Sequence, residues 1–446
     1  MSATSKLSPA VAADFVLRGA GELVTMSAPP AAGLGALAGG ALAAKDGVIV
    51  WVGREAELPQ AVDLAPDGLD VDAEGRCVLP GFVDAHTHAP FAGSRAAEYG
   101  ERLAGVSYGD ILARGGINVT VKATRQASEE ELARLCRRRY DSMLRHGTTT
   151  AEVKSGYGLT AAAEAKQLRA AATPHALRRE LTFLGAHIVP PEYDGRADDF
   201  IRLVCDEMTP ACAPLARWCD VFCDEGAFSV GQARRVLVAG RAAGLGLRIH
   251  ADELARSGGS MLAAELGCAS ADHLIHATWE EIAAMKAAGV VAVMLPGTSY
   301  TLGIPFAPAR AFLEAGVIIA LASDFNPGTC DCENLQMMIS LACQGMRLTP
   351  DEALYAATVG GAAALRRGDV GSLEVGKRCD FSVLVAESRT ELPYHFGVNL
   401  VSDVVLGGRV VVQDGVVPRA APAPEPPREP AAQFPAGPSL EQGGAA

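Results

Sequence analysis

Between Val78 and about Gly368, short apolar runs alternate with longer stretches whose apolar positions recur every three or four residues. A buried-strand pattern taking turns with an amphipathic-helix pattern predicts repeated βα units. Candidate strands end at His88, Lys154, His187, Asp224, Asp252, His273, Leu295 and Asp324. Candidate helices run from Glu129 to His146, Ala161 to Ala172, Val230 to Ala243, Gly259 to Leu266, Glu280 to Ala288 and Ala307 to Ala315. Eight such units argue for an α/β fold closed as a (β/α)8 TIM-like barrel, rather than an open doubly wound sheet. Its first strand, Val78 to Val83, is apolar with a Pro-Gly entry and reads as a buried parallel strand.

Outside that region the texture changes. Phe15 to Met26, Ala41 to Val52 and Val71 to Val78 cluster β-formers between Gly, Asp and Pro, as short antiparallel strands do. Ala28 to Gly40 reads as a small-residue loop. The same texture returns at Gly371 to Val385 and Val401 to Val416. We therefore expect a small β-sandwich domain assembled from residues 1–80 and 369–417, a barrel over 81–368, and a disordered Pro-, Ala- and Gly-rich tail over 418–446.

Composition narrows the partners. A chain of 446 residues suits one large barrel with an appendage, and a formal net charge of −13 argues against nucleic acid or an anionic membrane as partner. An acidic small molecule stays admissible if a local arginine reverses the field. Met1 to Asp14 lacks the basic start and apolar core of a signal peptide, and no apolar run approaches the roughly 18 residues of a membrane span. A soluble, cytoplasmic chain is expected. Eleven cysteines without a secretory signal then point to reduced thiols. Cys205, Cys212, Cys219 and Cys223 lack a paired C-x-x-C spacing and read as buried small hydrophobes.

The chemistry gathers at the candidate strand ends, which in a barrel meet at one mouth. His86 and His88 alternate on one strand and so project from the same side. His250 and Asp324 close two other strands, which makes three imidazoles and a carboxylate. That donor set suits one zinc or iron ion, whose charge would make a water nucleophilic at neutral pH. Each residue alone has an ordinary explanation: a pair of loop histidines, a satisfied core histidine, a helix-capping aspartate. Their joint occurrence at strand ends is what argues for a site. Asp324 can then take the water's proton, His273 can orient the water or polarise the group attacked, and Glu253 can bond a substrate N–H or shuttle a proton. Asp252 reads as support for its strand end.

Several longer motifs carry a resemblance. Pro80-Gly-Phe-Val-Asp-Ala-His-Thr-His88, the later His and Asp, and Gly371-Ser-Leu-Glu-Val-Gly-Lys377 resemble the amidohydrolase superfamily. Phe91-Ala-Gly-Ser-Arg95, Lys154-Ser-Gly-Tyr-Gly158, Phe183-Leu-Gly-Ala-His187, His250-Ala-Asp-Glu253 and Asp324-Phe-Asn-Pro-Gly-Thr329 narrow the likeness to the ring-opening hydrolases of histidine degradation. That resemblance, covering roughly Ala41 to Val412, implies hydrolysis of 4-imidazolone-5-propanoate to N-formimidoyl-L-glutamate by a homodimer with one zinc or iron. It implies metal-ligand roles for His86, His88, His250 and Asp324. It implies substrate or product contacts for Arg95, Tyr157, His187, Glu253, Asn326, Gly328 and Thr329, with Tyr108 as a further carboxylate contact. Arg95 offers a planar fork for a propanoate, which suits that substrate. Lys154 invites comparison with superfamily members whose carboxylated lysine bridges two metals. It lies on the second strand rather than the usual fourth, where Asp224 stands, so one metal is expected. The competing readings are another cyclic amidase or a heterocycle deaminase, and a non-enzymatic scaffold, which would have no need of the ligands.

Overall fold

The computed structural model describes residues 10–106 and 115–418. Eight parallel strands run in sequence order around one sheet: β6 (Phe82–Asp84), β7 (Thr148–Lys154), β8 (Arg178–Ala186), β9 (Trp218–Cys223), β10 (Gly246–Ala251), β11 (Ser270–His273), β12 (Val291–Met294) and β13 (Ile319–Leu321). Five further strands precede these in the chain. Every residue of these eight strands is buried or nearly so, as strands covered on both faces must be. The helices expected between them are present, including Glu129–Arg145, Ala161–Ala171, Val230–Ala242 and Gly259–Leu266. Ser128, Thr160 and Ser229 cap three of them by accepting a backbone N–H of the first turn.

Closure of the barrel sits where the candidate ligands are. Asp324 N donates to His86 O (3.0 Å), His88 N donates to Phe325 O (2.9 Å), and Ser323 N donates to the Asp84 carboxylate (3.0 Å). These bonds stitch the loop after β6 to the segment after β13 at the mouth. Lower in the seam, the helical turn at Gly360 and Gly361 lies between the two strands. A Cβ at Gly360 would come within 2.1 Å of Ile319 O, and one at Gly361 within 2.2 Å of Val83 O. No side chain fits there, so the pair of glycines lets a helix plug the seam. Arg248 reaches the plug from inside the barrel and donates to Ala364 O (2.9 Å) and Ala85 O (2.7 Å).

A second sheet uses both ends of the chain. It contains β1 (Val11–Val24), β2 (Ala36–Lys45), β3 (Val48–Arg54), β4 (Val62–Asp72), β5 (Cys77–Pro80), β14 (Phe381–Leu384), β15 (Val401–Leu406) and β16 (Arg409–Val412). Phe15, Leu17, Leu42, Ile49, Val78, Phe381 and Val405 share its core.

The structure differs from the sequence expectation at four points. Val78 to Val83 is two strands: β5 pairs with β14 and β1 in the second sheet, whereas β6 begins the barrel. The hinge is Gly81, whose N–H goes to Asp380 O while that of Phe82 goes to Gly147 O. Ala41 to Val52 is likewise two strands joined by a turn at Asp46-Gly47, and Ala36 to Gly40 belongs to β2 rather than to a loop. Registry with β1 (Val24 opposite Ala36, Glu22 opposite Ala38) overrides the weak β propensity of Ala and Gly. The second sheet is also mixed, since β4 and β5 run parallel to β1. The expected tail over 418–446 and Tyr108 lie outside the described residues, except for Pro418.

Candidate active site

Both histidines after β6 turn inward past the end of the strand. His86 Nδ1 donates to Asp272 Oδ2 (2.6 Å), so its Nε2 keeps a lone pair, and that nitrogen lies 3.2 Å from His88 Nε2. Asp324 Oδ1 stands 3.4 Å from both Nε2 atoms. His250, from β10, donates Nδ1 to Asp220 Oδ1 (3.1 Å), which leaves its Nε2 buried with no hydrogen-bond partner among the described residues. His273, closing β11, brings its ring centroid to 5.4 Å from that of His250 and 5.6 Å from that of His86. The ligand atoms form two overlapping triads, His86–His88–Asp324 and His86–His250–His273, with all atoms of each within 4.8 Å of one another. Two carboxylates fixing the outer ring nitrogens of His86 and His250, with the inner ones aimed at a common point, form an arrangement that suits a divalent cation. The residues therefore fit a metal. Of the four residues expected from sequence, His86, His88 and Asp324 form one triad, while His250 joins His86 in the other together with His273.

Electrostatics agree. Burial, reinforced by the Lys154 ammonium, holds His86 well below its ordinary pKa, and burial does the same for His88. Both are neutral and free to ligate at physiological pH. Burial lowers His273 to about 3. Burial would raise Asp220, but His250 and Lys154 outweigh it and keep the carboxylate ionised.

Beneath the triads lies a buried ionic layer that sequence reasoning missed. Lys154 Nζ bonds Glu152 Oε1 and Asp220 Oδ2, both at 2.7 Å, and Arg248 Nη2 reaches Asp272 Oδ2 at 3.4 Å. All five side chains are fully or almost fully buried. Lys154 is thus committed to carboxylates as an ammonium, in keeping with one metal rather than a bridged pair. Two cations against three carboxylates leave the layer one negative charge in excess, which favours a cation above it. A signal was available: a charged residue inside an apolar barrel strand, as at Asp220 and Arg248, needs an inward partner.

Expected substrate contacts ring the same mouth. Tyr157 is buried beside His88 and His187, with ring centroids at 6.1 and 5.3 Å. Its loop is held by the buried Glu164 carboxylate, which accepts from the backbone of Gly156, Gly158 and Leu159, and by Gln167, which accepts from Tyr157 N and donates to Pro90 O. Neither residue was singled out from sequence. His187 stacks on His88 at 5.2 Å and bonds Gly156 O through Nδ1. Glu253 Oε2 lies 3.5 Å from His273 Nε2, and burial, with the nearby Asp324 charge, raises its carboxyl well above the usual range. The Asp252 carboxylate accepts from Ser257, Gly258 and Ser260, as expected of a strand-end support. Asp224 does similar work, accepting from the backbone N–H groups of Glu253, Leu254 and Ala255. Asp252, His273, Leu274 and Asp324 all have positive φ (53°, 78°, 59° and 51°), an uncommon conformation for such residues. At about 1–3 kcal/mol each, that strain marks a backbone shaped for its site.

Asn326 and Arg95 differ from the simple picture. The Asn326 amide accepts from Gly328 N and Thr329 N (2.8 Å each) and donates to Asp324 O and Thr329 Oγ1, so it builds its own loop. The Arg95 fork is paired with Glu98, through Nε to Oε2 (2.9 Å) and Nη2 to Oε1. Its Nη1 lies 2.2 Å from where a Cβ on Gly328 would stand. Gly328→Ala should therefore push the guanidinium out of place, raising KM about tenfold or more while metal content stays unchanged. Steady-state kinetics beside metal analysis check this, and an unchanged KM would contradict it.

Residues 240–411 match the Amidohydrolase family. An adenosine deaminase from Xanthomonas campestris with bound zinc has the same fold, with a TM-score of 0.70 at 22% identity over 92% of this chain and 96% of that one. A triazine hydrolase variant superposes with a TM-score of 0.72 at 19% identity, over 91% and 96% of the two chains. The chain is a hydrolase of the amidohydrolase superfamily. More specific likeness comes from the imidazolonepropionase of Symbiobacterium thermophilum, 50% identical over 420 residues, 91% of this chain and 99% of the relative. That of Salinispora arenicola is 47% identical over 390 residues, 87% and 96% of the two chains. This chain belongs to the imidazolonepropionase family.

Proposed function

We propose that the chain hydrolyses 4-imidazolone-5-propanoate to N-formimidoyl-L-glutamate, a step of histidine degradation, using one zinc or iron ion. The observation that carries this reading is the pair of triads sharing His86, set in a chain half identical to a named imidazolonepropionase. A divalent cation held by His86, His88, His250 and Asp324 would supply the Lewis acidity that makes water a nucleophile at neutral pH. Asp324 takes the water's proton while Thr298 Oγ1, donating to Oδ2 (2.5 Å), holds the carboxylate in place. His273 lies beside the ring carbonyl and orients the attack. The water's oxygen bonds the carbonyl carbon, the ring C–N bond breaks, and the departing nitrogen gains a proton from Glu253, which burial keeps protonated. Arg95 and Tyr157 hold the propanoate, and His187 bonds the ring. Asn326, Gly328 and Thr329 shape the wall beside them.

A neutral heterocycle would need no guanidinium at the mouth, so Arg95 favours the acidic substrate over a deaminase reading. A homodimer fits the run that exposes Tyr394 (84%) and Phe396 (68%), and a cytoplasmic setting fits eleven free cysteines. No helix among the described residues is long and apolar enough to cross a membrane. The test is loss of imidazolone absorbance when the substrate is supplied to native, chelated and metal-restored protein. Turnover in the first and third only supports the proposal; no turnover in any would refute it.

A further inference from the structure

Helix Ala96–Leu103 starts on Arg95 as its N-cap and carries three further charges, Glu98, Glu101 and Arg102, of which Glu98 meets Arg95 and Arg102 meets Gly328. Arg102 Nη1 reaches Gly328 O at 3.4 Å, and its guanidinium carbon lies 5.3 Å from the Tyr99 ring centroid. Its Nε and Nη2 are shielded from solvent and have no hydrogen-bond partner among the described residues. Buried N–H groups of a charged fork are costly to leave unmet, so such an edge marks a place where an acceptor belongs. Two guanidinium groups thus flank Gly328: Arg95 against its α-carbon, Arg102 against its carbonyl.

The charges decide what that acceptor is. Arg95 is neutralised by Glu98, so on its own the pair offers an incoming carboxylate no net attraction, and Glu98 would repel it. Arg102 has no carboxylate partner among the described residues, so its open edge offers donors that suit one incoming carboxylate. We propose that Arg102 is a second anchor for the substrate's propanoate, and that its unpaired edge is what makes a clamp already filled by Glu98 select an anion. This rests on the reading that the propanoate docks at Arg95. It adds a residue to that reading and assigns Glu98 the role of holding the Arg95 fork in shape between turnovers.

The test compares 4-imidazolone-5-propanoate with its neutral carboxamide in wild type, Arg102→Met, Arg102→Lys and Arg95→Met, each as the metal-loaded full chain with its thermal melt recorded. Arg102→Met is expected to raise KM for the acid about 10- to 100-fold, the range for a hydrogen bond to a charged group, with kcat little changed. It should lower kcat/KM far more for the acid than for the carboxamide, and Arg102→Lys should recover part of the preference. Equal losses on both compounds, or an unchanged KM for the acid, would overturn the proposal. Arg95→Met separates the two claims. If it collapses the acid preference while Arg102→Met does not, the clamp stands and the second anchor falls. If only Arg102→Met collapses it, the docking at Arg95 is what fails.

Discussion

His250→Ala is expected to empty the protein of bound metal and reduce turnover to background. His250 Nε2 is buried and unmatched within the described protein, while Nδ1 is fixed by Asp220. Removing the ring deletes a ligand and leaves Asp220 still paired with Lys154, so the fold should survive the change. Asp324→Asn makes a useful contrast. It keeps the shape and can still meet Thr298 but loses the charge that accepts the water's proton, so kcat should fall about 10²- to 10⁴-fold with metal partly retained. Metal analysis of both variants beside their turnover checks the pair. A metal-replete His250→Ala with normal kcat would remove that residue from the ligand set.

Those candidates could be read from the chain because imidazoles and carboxylates at barrel strand ends stand out against the apolar runs that precede them. The same logic made Asp252 legible as a support. Other features left a weaker trace. Val78 to Val83 is apolar on both sides of Gly81, and hydrophobicity alone does not reveal that the chain changes sheets there. β2 opens with Ala and Gly, whose strand geometry comes from its neighbour and not from their own preference. Glu98 lies three residues from Arg95, a spacing common to many surface charges, yet it fills the fork expected to face the substrate. Glu164 and Gln167 act through backbone amides of a loop several residues away, which no spacing rule picks out.

Lys154→Met should be the most damaging change away from the metal ligands. The ammonium bonds two carboxylates at 2.7 Å and lies 3.8 Å from a third, in a place with no access to water. Burial alone would push Lys154 down, but Asp220 and Glu152 outweigh it and hold the charge. A methionine fills the space but leaves Glu152 and Asp220 without their nearest cation, and breaking such a buried pair costs about 3–5 kcal/mol. Against a typical stability of about 5–15 kcal/mol, that is enough to lower soluble yield and the melting temperature markedly. Arg248 remains near Glu152 and Asp272 and keeps the loss from being total. Added bicarbonate should change nothing, because the lysine is engaged as an ammonium. A Lys154→Met protein as stable as wild type would contradict the ionic-layer account. So would activity that rises with bicarbonate in the native enzyme.

His86, His88, His250 and Asp324 are proposed to hold a single ion without which the imidazolone ring stays closed. Metal content per chain, measured together with turnover of 4-imidazolone-5-propanoate before and after chelation, tests it most directly. One ion per chain is expected, with activity lost on its removal and recovered on adding zinc or iron. Full turnover by protein stripped of metal would contradict it.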